Sequence, residues 1–286
     1  MRNRTNARTR WALAFVGLAC WLSVSANAAK AAAGESQPSK ATVGQSVSAT
    51  AAAARGIRID HTAVNLSDLS EKTISEAATL RVLLRHASVG DGINWGLDTV
   101  AGKRPNQAVG APFKPGRYDR SRWVLENRGN PGWRAKVDDL VKQAATRAND
   151  FDVFMMKFCY IDTLGDNRPD WEYYRSAMEK LEADHPTKKF VWWTIPLTRD
   201  GMPGTDAFNA QLRSYCAAKG KILFDMADIE CYDSKGTRLV NTAGKETISA
   251  EYTREIHAGH LNPEARVRVA AALWHLMARI ASAPRP

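Results

Sequence analysis

The sequence predicts a three-layer α/β/α sandwich built on a five-stranded, mostly parallel sheet, and three observations carry that prediction. From Asp60 onward, short apolar runs alternate with stretches of helical period, the pattern of strand–helix units feeding one sheet. Phe151 to Phe158 is almost unbroken in its apolar character, as expected of a strand covered on both faces. The chain closes on a helix with three start signals in a row: Asn262 at the N-cap, Pro263 at the first helical position and Glu264 beside the positive end of the dipole.

Taken in order, Ser70 to Ala78 reads as a short helix leading into the first strand, Leu80 to Arg85. Ile93-Asn94-Trp95-Gly96-Leu97 suits the helix that follows. A Pro- and Gly-rich loop, Gly102 to Gly116, precedes the second strand, Trp123 to Glu126. Val137, Leu140, Val141 and Ala144 recur at i, i+3, i+4 and i+7 and mark one face of a helix. After the third strand, Asp170 caps a helix with Tyr174, Met178 and Leu181 inward. Phe190 to Ile195 is the fourth strand. Asp206 starts a helix with Phe208, Leu212, Tyr215 and Cys216 inward, and Gly220 stops it. Lys221 to Met226 is the fifth strand. Turn residues at Asp233-Ser234-Lys235-Gly236 and Thr242-Ala243-Gly244 allow a hairpin before the last helix, whose stripe is Val269, Leu273, Leu276, Met277 and Ile280.

Ahead of this domain (residues 56–286), Met1 to Ala28 has the form of a secretory signal peptide. Arg2, Arg4, Arg8 and Arg10 form a basic leader, Trp11 to Val24 an apolar core, and Ala26-Asn27-Ala28 a small-x-small cleavage site. That core is short for a membrane span, which needs about 20 apolar residues, and Gly17-Leu18-Ala19 before Cys20 is a poor lipobox. The expected location is the bacterial periplasm or the exterior. Residues 29–55, rich in Ala and Ser, read as a flexible linker. Without the leader's four arginines the formal charge falls from +10 to +6, spread with no basic run. Nucleic-acid binding wants a patch on one face, so it is not expected. Three cysteines remain, Cys159, Cys216 and Cys231. Their odd number leaves either a Cys216–Cys231 bond and one free thiol, or three reduced thiols.

Chemistry is expected at the carboxyl edge of the sheet, where open α/β folds place their ligands. In Arg85-His86-Ala87-Ser88-Val89-Gly90 a hydroxyl sits at a strand-to-helix turn. A serine there either caps the helix or serves as a nucleophile. His260, two residues before the last helix's N-cap, shares that edge, and an adjacent imidazole is what a serine nucleophile needs. Asn127-Arg128-Gly129-Asn130-Pro131-Gly132 follows the second strand and begins a helix, so its amides suit an oxyanion.

Together these residues resemble the SGNH (GDSL-like) hydrolase superfamily, in a divergent bacterial form. The resemblance implies Ser88 as nucleophile in His-Ala-Ser-Val-Gly, Gly132 as an oxyanion donor, and His260 as base in His257-Ala258-Gly259-His260. Two departures stand out. The third block, Lys157-Phe158-Cys159-Tyr160-Ile161-Asp162, has no Asn, leaving Lys157, Tyr160 or a backbone amide as substitutes. His257 stands where the family has its Asp, so the orienting acid must come from elsewhere, with Asp225 and Asp228 at the end of the fifth strand as candidates.

Other motifs imply no cofactor and no metal. Gly90-x-Gly92-x-x-x-Gly96 misses the dinucleotide fingerprint by one position, and His257 with His260 lacks a third zinc ligand. Trp192 and Trp193, on alternate faces of a strand, either both pack in the core or leave one to stack on a sugar. The resulting expectation is an exported serine esterase acting on a small-molecule or carbohydrate ester, such as an acetylated sugar. The alternatives are a non-catalytic carbohydrate-binding protein and an acyltransferase on an envelope polysaccharide. N-terminal sequencing of exported material should find Ala29, give or take a few residues; a lipid-bearing Cys20 or an intact Met1 would contradict the leader reading.

Overall fold

A computed structural model describes residues 56–103, 118–164 and 168–283. The leader, the linker and most of the Gly102–Gly116 loop lie outside the described residues. Six strands form one parallel sheet: β1 (Arg58–Ile59), β2 (Val82–His86), β3 (Trp123–Asn127), β4 (Val153–Met156), β5 (Lys189–Trp193) and β6 (Ile222–Phe224), in the order β1-β6-β5-β4-β2-β3. The sixth strand is β1, a two-residue edge paired with Leu223 and Phe224 of β6, which corrects the expected five. Two residues are too few to show a period of alternation, so no pattern in the sequence announces it.

The strands read as continuous apolar runs because both faces are covered. Val82, Leu84, Val153, Met155, Val191 and Trp193 join one core with α1 (Glu71–Thr79), α2 (Val89–Val100) and α7 (Pro263–Ser282). Leu83, Phe154, Met156, Phe190 and Trp192 join the other, under α3 (Trp133–Arg147), α4 (Trp171–Asp184) and α5 (Pro203–Lys219). Trp192 and Trp193 are therefore both fully buried, and neither offers a sugar-stacking face. Their indole N–H groups are used internally, on Glu182 Oε1 (2.9 Å) and Met226 Sδ (3.4 Å).

The caps behave as their residue types dictate. Asn262 Oδ1 accepts from the Ala265 amide (3.0 Å), and Asp170 Oδ1 from the Tyr173 amide (2.7 Å). α5 begins at Pro203, ahead of the expected Asp206, with proline in the first turn. Val141 points outward, while Val137, Leu140 and Ala144 are buried. After β6 the chain turns at once into α6 (Met226–Cys231). The two Gly turns that follow close separate single bridges, Tyr232–Arg238 and Val240–Glu246, instead of one hairpin. All three cysteines are buried and unbonded.

Two features of this frame position the site. β2 lies between β3 and β4, so the connections leaving β2 and β3 run in opposite directions across the sheet, and the carboxyl ends of β2 and β4 border a crevice. α2, which follows β2, lies directly on α7: a Cβ placed on Gly96 would fall 2.1 Å from the Arg266 carbonyl oxygen. Gly96→Ala must therefore push the two helices apart. It should destabilise the fold by about 1–3 kcal/mol, read from urea unfolding midpoints; an unchanged midpoint would contradict the close approach.

Candidate active site

Ser88 follows β2 by two residues and precedes α2, and its backbone is at φ +55°, ψ −109°. Among the described residues it alone, glycines apart, has positive φ. An L-residue there is strained, and such strain persists where the surroundings impose it. Here the turn doubles back so tightly that Gly90 lies against the His86 ring, where a Cβ would come within 2.5 Å of the imidazole. The Ser88 side chain makes no capping hydrogen bond to α2. A strained serine on a strand-to-helix turn, with its hydroxyl thrust off the sheet edge, has the form of a nucleophile elbow.

The hydroxyl meets His260 across 172 positions of chain: Ser88 Oγ lies 2.5 Å from His260 Nε2. His260 is in turn held by Glu255, whose carboxylate accepts from Nδ1 at 2.9 and 3.0 Å and from the His260 amide at 2.8 Å. An ionised carboxylate only accepts, so Nδ1 carries the ring proton and Nε2 presents its lone pair to the serine hydroxyl. The loop carrying both residues is anchored where Gly259 lies on the Leu197 carbonyl; a Cβ there would be 2.1 Å from that oxygen. Both side chains are a little under half exposed, open enough for a substrate to reach.

Glu255 is the residue that sequence reasoning missed, and its presence corrects three expectations. His257 does not orient His260: it is almost fully exposed and pairs with Asp200 Oδ2 at 3.1 Å. Asp225, the N-cap of α6, is fully buried and already bound by Arg58 (2.8 Å) and Arg213 (2.8–3.0 Å). Asp228 is bound by Arg58 (3.3 Å) and His61 (2.5 Å). Asp60, His61 and Asp228 place ligand atoms within 4.8 Å of one another, but the Arg58 guanidinium touches both carboxylates. That group is an ion-pair network joining β1 to α6.

Around the pair, Tyr160 sets its ring edge-on to His260, with centroids 6.0 Å apart. Burial and the nearby Glu255 charge both push its phenol pKa up, so it stays protonated beside the imidazole. Gly132 is the exposed N-cap of α3, on the connection leaving β3. Asn127 ties this loop to the serine's helix: its amide donates to both Asp91 carboxylate oxygens (3.2 and 3.3 Å) and its Oδ1 accepts from the Gly129 amide (2.8 Å). Lys157 is fully buried. Its ammonium contacts the Phe158 carbonyl (3.4 Å) and Cys159 Sγ (3.6 Å), so it supports the third block from within.

No protein-family model and no curated protein matches the sequence. Among solved structures, the chain is similar to a lipolytic protein of the G-D-S-L family from Desulfitobacterium hafniense DCB-2, at 14% identity and TM-score 0.44 over 68% of this chain and 98% of that one. It is also similar to a GDSL-like lipase from Bacteroides thetaiotaomicron VPI-5482 (9%, TM-score 0.47, 75% and 94%) and to an acylhydrolase from Bacteroides fragilis NCTC 9343 (12%, TM-score 0.44, 74% and 96%).

His86 makes the turn sensitive to acid. Burial, reinforced by the Lys157 and Arg128 charges and opposed by Asp91, lowers its pKa from 6.5 to about 4. The unfolded chain therefore takes up a proton in that window that the folded protein refuses, and stability falls as pH drops from 6.5 toward about 4. His86→Leu should lack this part of the pH dependence, measured as the wild-type-minus-variant difference in unfolding free energy; a pH-independent difference would contradict the burial of a neutral imidazole.

Proposed function

We propose that the protein is an exported serine esterase of the SGNH type, working through Ser88, His260 and Glu255. The observation that carries the proposal is the strained Ser88 turn, with Oγ 2.5 Å from an imidazole nitrogen whose partner nitrogen is held by a carboxylate. The resemblance of the serine, glycine and histidine blocks to the family supports it. So does Glu255, because the absence of the family's Asp, together with that of its third-block Asn, was the ground for a non-catalytic binding protein.

In the proposed cycle, Ser88 Oγ attacks the ester carbonyl as its proton passes to His260 Nε2. Glu255 stabilises the imidazolium so formed. The tetrahedral oxyanion is received by backbone amides at the start of α2 and at Gly132, which lie at helix N-termini. Collapse expels the alcohol, which takes the proton from His260. Water then attacks the acyl carbonyl as it gives a proton to His260, and the acid leaves as Ser88 Oγ takes that proton back. The tyrosine edge of Tyr160 limits rotation of the imidazole. The substrate class proposed is an ester of a small acyl group, with an acetylated envelope carbohydrate as one source of the alcohol. Among the described residues no helix is long and apolar enough to cross a membrane.

Steady-state hydrolysis of 4-nitrophenyl acetate, butyrate and octanoate, and of an acetylated sugar, tests the reading. Ser88→Ala should fall to background. Glu255→Gln should lower kcat by up to about 10⁴-fold, the cost of replacing an orienting triad acid. His257→Asp should change little, because position 257 faces Asp200 instead of His260. A wild type no faster than Ser88→Ala on every ester, or a fully active Glu255→Gln, would refute the assignment.

A further inference from the structure

The third block that should supply an oxyanion donor has Tyr160 beside the histidine, leaving the oxyanion side of the cleft short of one group. What lies there is positive charge. Arg128 is the first residue after β3. Its amide donates to the His86 carbonyl (2.9 Å) and its Nη2 to the Lys157 carbonyl (2.6 Å). Lys157 follows β4, with its amide on the Arg85 carbonyl (3.4 Å). β2 lies between β3 and β4, so to reach from one to the other the Arg128 side chain must cross the carboxyl end of β2, the stretch that leads into Ser88.

This guanidinium is costly where it sits. Its Nε and Nη1 are buried without a hydrogen-bond partner, and burial depresses the guanidinium pKa. Among the described residues no carboxylate forms an ion pair with it. The neighbouring Lys157 ammonium also lacks one, its contacts being a carbonyl and a thiol. By contrast Lys136, equally buried, is paired with Asp162 at 2.5 Å. A cation taken out of water without a counter-charge destabilises the fold, and such groups concentrate where chemistry develops the opposite charge.

We propose that Arg128 is a positioning residue of the oxyanion site. Its fixed positive charge beneath the Ser88 turn, and its hold on the Lys157 carbonyl, replace the absent asparagine of the third block. The inference rests on the esterase reading above. In the resting state no carboxylate among the described residues is in ion-pair contact with the guanidinium, and Asp139 and Asp162 act on it only at longer range; the alkoxide formed from the ester carbonyl would bring negative charge to the turn that this side chain crosses.

The test compares wild type, Ser88→Ala, Arg128→Lys and Arg128→Gln in ester hydrolysis, in thermal unfolding and in binding of phenylboronic acid, which becomes a tetrahedral anion on a serine oxygen. Arg128→Gln should lose about 10²-fold in kcat, as when an oxyanion donor is removed, with KM little changed and boronate affinity falling in proportion. Its thermal midpoint should hold or rise, since a buried charge with no ion-pair partner has gone. Arg128→Lys, which keeps the charge, should recover part of both losses. Unchanged kcat and boronate affinity in Arg128→Gln would overturn the inference. So would a loss in which kcat and thermal midpoint fall together and lysine rescues nothing, because that pattern belongs to a scaffold residue. If wild type matches Ser88→Ala in hydrolysis and in boronate binding, the esterase reading itself fails and takes this inference with it.

Discussion

The tight reversal between β2 and α2 is the constraint on which the rest of the structure depends. It forces Ser88 to φ +55°, a conformation that costs of order 1–3 kcal/mol for a residue with a side chain. The turn closes only because glycines stand where backbones and rings meet. Gly90 lets the His86 ring fold beneath the turn, and Gly96 lets α2 settle on α7. α7 follows directly on the loop that carries Glu255 and His260. Ser88 and His260 are thus held by one helix–helix contact, although they are 172 residues apart in the chain.

Electrostatics divides the site into two sides. On one, Glu255 binds both the His260 ring and its amide, so one carboxylate fixes the imidazole's tautomer, its orientation and the path of the loop. On the other, the Arg128 and Lys157 charges lie near His86, at the carboxyl end of β2. Burial, reinforced by those charges, keeps His86 neutral. Other acids near the sheet edge are engaged elsewhere: Asp225 and Glu246 share Arg213, and Asp162 neutralises Lys136.

Much of this was legible in the sequence. Strands β2 to β6 announce themselves because burial on both faces demands unbroken apolar runs, and α7 because its N-cap, proline and acid stand in line. That Ser88 and His260 share one edge of the sheet was legible from their places at strand and helix ends. β1 was not, being two residues on an edge. Glu255 was not, because it stands five residues before His260, where the family spacing directs attention to position 257, and the loop's path back to the imidazole is set only by folding. Asp225 and Asp228 were plausible in sequence because their partners, Arg58 and Arg213, are brought to them only by folding.

The central claim is that Ser88 is an activated nucleophile whose base is held by Glu255. It is tested most directly by mixing the protein with excess 4-nitrophenyl acetate, quenching in acid within the first turnover, and mapping the acetyl group by peptide mass spectrometry. The account predicts stoichiometric acetylation of the peptide containing Ser88 in wild type, and accumulation slowed by orders of magnitude in Glu255→Gln. Acetyl found only on lysines, or on Ser88 at the same rate with glutamine at position 255, would contradict it.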